Sequence, residues 1–113
     1  MLNVLVKEII HSETAVTSVK AELVFKVLKT NIKNREISVL DFTGVKSLTT
    51  AFLNIAIGQL YDLESPDELT KMVKIRRDSV SDEHMKKIIR VLSNSKEKRE
   101  VARKNIEEVL DGE

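Results

Sequence analysis

Ile37-Ser-Val-Leu-Asp-Phe42 is a short run, apolar at nearly every position, followed at once by the turn pair Thr43-Gly44. A strand of that composition is buried on both faces, and a parallel sheet covered by helices is the architecture that buries it so. The next stretch agrees. From Thr49 to Leu63, the residues Ala51, Phe52, Leu53, Ile55, Ala56, Ile57, Leu60, Tyr61 and Leu63 cover well over half of a helix circumference. Such a helix is buried on more than one side. Gly58 in its interior costs about 1 kcal/mol relative to Ala, so a close helix–strand or helix–helix approach is expected there.

The flanking segments alternate in the same way. Leu2 to Ile10 is apolar and β-branched and reads as a first strand. His11 to Thr14 is a loop. From Thr14 to about Lys33 a helix is expected, with apolar stripes at Val16, Val19, Leu23 and Val27 and at Val24, Leu28 and Ile32. Asn34-Arg35 ends it. Ser65-Pro66-Asp67-Glu68 reads as a capped helix start, with Pro at the first position and Glu three after the cap. Met72 to Arg76 is a third strand, placed toward the sheet edge by its Lys and Arg. Ser79 to Asp82 opens a helix with Met85, Ile88, Ile89 and Leu92 inward. Asn94-Ser-Lys-Glu97 resembles a new cap, and a further helical stretch carries Val101, Ala102, Ile106, Val109 and Leu110. One bent helix and two separate helices both fit. The pattern β-α-β-α-β-α-α describes a small single α/β domain over residues 1–113, with helices packed on its sheet. The first strand could instead pair antiparallel.

Composition narrows the function. A chain of 113 residues holds one domain and needs neither disulfide nor metal to fold. Zero cysteines exclude a thiolate metal site, an iron–sulfur cluster and a Cys nucleophile. The two histidines, His11 and His84, are far apart, and three glycines make no phosphate-cradling loop. No cofactor, metal or catalytic set is therefore expected. The N-terminus lacks a signal-peptide pattern, and no apolar run approaches the ~18–20 residues of a membrane span, so a cytoplasmic protein is expected. Charge is uneven. Residues 1–70 are net −2, residues 71–104 net +7 and residues 105–113 net −4. The basic segment reads either as the solvated face of amphipathic helices or as a patch for nucleic acid or an acidic partner. The acidic end could also fold back on the basic part.

The strand–helix junction is where function is concentrated. Leu40-Asp41-Phe42, then Thr43-Gly44-Val45, then Thr49 and Thr50 before the buried Ala51-Phe52-Leu53, resembles STAS domains, the sulfate-transporter and anti-sigma-factor-antagonist fold. It resembles most the STAS-like domains of unassigned function. The resemblance covers roughly residues 12–93, leaving 94–113 as a C-terminal helical extension. It implies a non-catalytic, anti-sigma-factor-antagonist-like module that binds a protein, an ATP-binding kinase-like regulator being the candidate. A second copy of the chain is another candidate partner. The resemblance also implies a phospho-acceptor at Thr50, with Thr49 beside it, and a partner surface of Asp41, Thr43, Gly44, Ser47 and Phe52. The usual acceptor motif reads Asp-Ser-Ser-Gly, whereas here it is Thr49-Thr50-Ala51-Phe52.

The residues by themselves leave alternatives. Thr49 or Ser47 can equally be a helix cap, worth about 1 kcal/mol. Asp41 can sit at a ligand-binding strand end or accept hydrogen bonds from its own turn. The alternative to a protein-binding module is nucleic-acid binding by the basic 71–104 segment.

Overall fold

A computed structural model of the chain describes residues 1–95. Three parallel strands form the central sheet in the order β1 (Leu2–Leu5), β3 (Ser38–Asp41), β5 (Val73–Ile75). Leu2 is opposite Ser38, and Ser38 is opposite Val73. The expected parallel α/β arrangement is therefore present, with the most apolar strand in the middle and the cationic one at an edge. A second parallel ladder, which the residue pattern did not reveal, pairs β2 (Thr14–Ala15) with β4 (Ser47–Leu48).

The first expected strand is corrected. It stops at Leu5, and Val6–Ile10 is a helical turn and a half, α1. Leu5 lies opposite Asp41, the last residue of β3, so no partner strand continues beside Val6. The backbone must find its hydrogen bonds elsewhere, and a helix supplies them locally. Val6 and Ile10, one helical turn apart, both enter the core. His11 then stops the helix in the left-handed region at φ 52°.

Helix α2 (Ser18–Lys33) begins later than Thr14, because Thr14 and Ala15 are committed to the β2–β4 ladder. Thr17 caps it, its hydroxyl oxygen accepting from the Lys20 N–H at 3.3 Å. Of the two stripes expected on it, Val24 and Leu28, joined by Ala21, are buried. The other is the correction: Val16, Val19 and Leu23 are exposed. Both stripes have helical spacing, and periodicity alone does not say which of two faces meets the sheet. α2 packs on α1, α3 and β3. Asn31 at its end donates to the buried Ser38 hydroxyl at 3.0 Å.

The expected 49–63 helix is two pieces, α3 (Thr50–Ala56) and a tighter 3₁₀ segment, Gly58–Asp62. A Cβ on Gly58 would lie 3.2 Å from the Ser95 hydroxyl, so the helix–helix approach expected at this glycine is real. Helix α4 (Pro66–Met72) starts as its residues indicate, with the Ser65 oxygen accepting from the Glu68 N–H at 3.2 Å. Met72 closes α4 instead of opening β5. A last helix, α5, runs from residue 82 and is described to residue 95. It buries Ile88 and Val91, while Ile89, expected inward, is exposed. The helix is unbroken through Asn94 and Ser95, where a new cap was expected, and the second helical stretch lies outside the described residues.

The core is one cluster in which Leu28, Leu40, Phe52, Leu53 and Leu60 are fully enclosed. Leu40 stands at its centre on the middle strand. Replacing it (Leu40→Ala) is expected to destabilise the fold by about 2–5 kcal/mol. Urea unfolding should show this as a lowered midpoint at unchanged slope.

Candidate functional site

The junction after β3 is organised by Asp41. It is the last residue of the central strand and is 5% exposed. One carboxylate oxygen accepts from the Thr43 N–H at 2.9 Å and from the Thr43 hydroxyl at 2.5 Å. The other accepts from the Asn3 amide at 3.2 Å and lies 3.6 Å from the Arg76 guanidinium. One side chain thus ties β1, the turn after β3 and the end of β5. The Thr43 hydroxyl does most to hold the Asp41 pKa below the usual carboxylate value. Burial opposes it, and the Thr43 N–H, the Asn3 amide and the Arg76 charge add to the lowering. One oxygen serves the turn and the other ties β1 and the end of β5, so the turn-acceptor role expected as one alternative is what the geometry displays.

The loop beyond is pinned on its other side. The Phe42 N–H donates to the Ser79 hydroxyl at 3.0 Å, and that hydroxyl donates to the Arg76 carbonyl at 2.6 Å. Gly44 has φ +82°, and a Cβ there would stand 2.9 Å from the Lys7 side chain. Glycine is the residue that satisfies both conditions. Lys7 and Lys46 flank Glu13, at 3.6 and 3.1 Å. The hydrogen bond from Lys46, then its charge and that of Lys7, lower the Glu13 pKa. The Lys46 N–H donates to the Glu13 carbonyl at 2.8 Å, and the Thr49 N–H to the Ala15 carbonyl at 3.2 Å. On the far side, the Lys87 ammonium of α5 donates to the Leu48 carbonyl at 2.9 Å.

Among the expected site residues, Thr43, Gly44 and Ser47 are exposed, and Thr49 and Thr50 are half-buried at the start of α3. Thr49 is the cap, its hydroxyl oxygen accepting from the Phe52 N–H at 3.1 Å. Two of the seven are corrected as contact residues. Phe52 is 1% exposed, because the inward face of α3 carries it into the core with Leu53 and Ala56. Asp41 is likewise enclosed and positions the loop from beneath. The residues that hold the loop, Asn3, Lys7, Glu13, Ser79 and Lys87, were not singled out from sequence. They come from distant segments, and no local spacing links them to it.

The basic stretch is partly engaged by the protein itself. Lys74 donates to the Thr70 carbonyl at 2.6 Å, and Arg76 faces Asp41 and Asp78. Residues 96–104 of that stretch lie outside the described residues. Among the described residues, no three His, Asp or Glu side chains gather as a metal site, and no helix is long and apolar enough to cross a membrane.

Asp41 carries a pH prediction. Its pKa is lower folded than unfolded, so its contribution is full above the unfolded value of about 3.9 and is lost as pH falls through the folded one. Asp41→Asn is expected to cost about 1–3 kcal/mol at neutral pH. The gap between the two proteins should close in acid, which thermal unfolding from pH 7 to pH 3 would read.

A family model described as a STAS-like domain of unknown function (DUF4325) matches residues 20–83, more than half of the chain. No curated protein and no solved structure matches it. The match runs from the first turn of α2 through β3, β4 and β5 to the start of α5, and so contains the whole loop that Asp41 holds, while β1 and β2 precede it. The chain belongs to this STAS-like family.

Proposed function

We propose that the chain is a non-catalytic regulatory module that binds a protein partner through the 43–50 loop and the adjoining outer face of α2. Membership of a STAS-like family supports the regulatory class. One observation carries the surface. Val16, just before the Thr17 cap, and Val19 and Leu23 in the first turns of α2 are 40%, 74% and 41% exposed. The β2–β4 ladder brings that end of the helix beside Ser47 and Thr49. Single exposed apolar residues are ordinary on a protein surface. Val19 and Leu23, one turn apart on the helix, with Val16 just before its cap and exposed hydroxyls beside them, form a patch of the kind that partners cover.

The non-catalytic reading rests on Asp41. Both its oxygens are engaged and its pKa is lowered, which makes it a poor general base. The switch we assign is phosphorylation of Thr50 by a kinase-like, ATP-binding partner. Thr49 is the lesser acceptor, because its oxygen already serves as the cap. A phosphate would add about −1.5 to −2 charges beside the Val19 patch, enough to change which surfaces can approach.

The test is capture of partners from the native cell with the intact chain and with exposed-site variants. Val19→Asp is expected to leave the circular dichroism unchanged and to reduce capture at least about tenfold, as loss of a central apolar contact does. Thr50→Asp should also weaken capture, and Thr50→Val should not. Unchanged capture by Val19→Asp would remove α2 from the binding surface. Unchanged capture by Thr50→Asp would remove the switch.

A further inference from the structure

We infer that two copies of the chain pair across the groove between the C-terminal half of α2 and residues 60–68, each lending Leu63 to the groove of the other. The groove holds about 340 Å³ and is lined by Lys29, Ile32, Lys33, Leu60, Leu63 and Glu64. It continues past Arg35 and Glu68 toward the start of α4. Its floor is apolar, with Leu60 buried and Ile32 half-buried. Leu63 stands beside that floor, 50% exposed. One exposed leucine is ordinary on a protein surface. This one is held in place by its turn, since the Leu63 N–H and the Glu64 N–H both donate to the Leu60 carbonyl, at 3.0 and 2.9 Å. An apolar side chain fixed beside an apolar hollow can fill the same hollow in a second copy and receive the same in return.

Charge selects a second copy as the occupant. The α2 wall of the groove carries Lys29, Lys33 and Arg35, and the opposite wall carries Glu64 and Glu68. Within one chain the two walls do little for each other. Arg35 and Glu68 lie 3.8 Å apart with the arginine side chain in solvent. Among the described residues, Lys29, Lys33 and Glu64 have no ion-pair partner. A two-fold axis running along the groove turns one copy over onto the other. The basic wall of each copy then faces the acidic wall of its mate, and both contacts form at once. A closed dimer needs such a self-complementary surface, and opposed charges fix its register. An unlike partner would have to carry the same two stripes at the same spacing, which a second copy does by construction.

The backbone adds an independent sign. Arg35 follows the end of α2 in the left-handed region, at φ 59°, with its N–H on the Ile32 carbonyl at 3.0 Å. Glycine takes that conformation freely and is the common residue at this place after a helix. Here the place is given to a cation, which extends the basic wall. The partner surface proposed above lies at the other end of α2. Leu23 and Ile32 are nine residues apart, about 14 Å along the helix, so pairing at the groove leaves Val19 and Leu23 uncovered.

Sedimentation equilibrium of the full chain, from micromolar to millimolar protein, tests the pairing. The mass is expected to rise from one chain to two and to stop there. Lys29→Glu with Lys33→Glu makes both walls acidic, and Glu64→Lys with Glu68→Lys makes both basic. Either pair of substitutions alone is expected to raise the dissociation constant at least about tenfold, as like charges then face each other. Leu63→Ser should do the same by removing the central apolar contact. Mixed in equal amounts, the two charge variants are expected to pair again, because every acidic wall meets a basic one. All four charge substitutions in one chain exchange the walls, and that chain is expected to pair with itself. The substituted side chains are exposed or half-buried, and circular dichroism confirms folding of each variant. A chain that stays single at millimolar concentration would overturn the proposal, as would growth beyond two chains. Pairing that either charge variant leaves unchanged, or a mixture that does not pair, would overturn it too. No other protein enters the measurement, so its failure is distinct from a failure of partner capture.

Discussion

The carboxylate of Asp41 is the group on which the candidate site depends. A charge buried at the end of a central strand is costly unless several donors surround it. Here three donors and a guanidinium do so, and they come from three places: two donors from Thr43 in the turn, one from Asn3 on β1, and the guanidinium from Arg76 at the end of β5. Hydrogen bonds to an ionised group contribute about 1.5–3 kcal/mol each, roughly twice the neutral kind. The consequence is geometric as much as energetic. The chain can leave β3 in one direction only, through Thr43 and the left-handed Gly44, and this sets the course of everything up to Thr50.

How much of this was legible in sequence follows from the range of the interactions. The 37–42 strand and the Ser65 cap are local, and each was readable from a few adjacent residues; Gly58 was readable as a close approach, but not as the place where the helix breaks. The early end of β1 was not, because Val6 turns helical for want of a partner strand beyond Asp41, a long-range fact. The same holds for β2 and β4, two residues each, which exist because Glu13 and Ala15 meet Lys46 and Thr49 across the fold. Phe52 was misassigned for a different reason. Ala51 just before it is exposed while Phe52 and Leu53 are buried, and within a helix one residue's offset exchanges surface for core.

The site was partly legible on the same grounds. The turn and the Thr49 cap were visible because side chain and backbone lie within three residues of each other. The clamp of Lys7, Glu13, Lys46 and Lys87 was not, since its members span four segments. What these residues produce together is a loop held from three sides, with hydroxyls at its surface. A partner meeting that loop would have little ordering to impose, which lowers the entropic cost of binding.

The exposed Val19 of α2 contributes little to the stability of the helix. Valine loses χ1 freedom in a helix, and several tenths of a kcal/mol separate it from lysine there. At buried positions that loss is offset by burial, as at Val24. Val19 is 74% exposed and recovers little of it within the described body. Four lysines on the same helix demonstrate that polar residues suit its outer positions. An apolar face kept exposed on a basic helix is favourable once something apolar and acidic lies against it. Under the proposed function, the partner sought at this surface is therefore an acidic one with an apolar ridge.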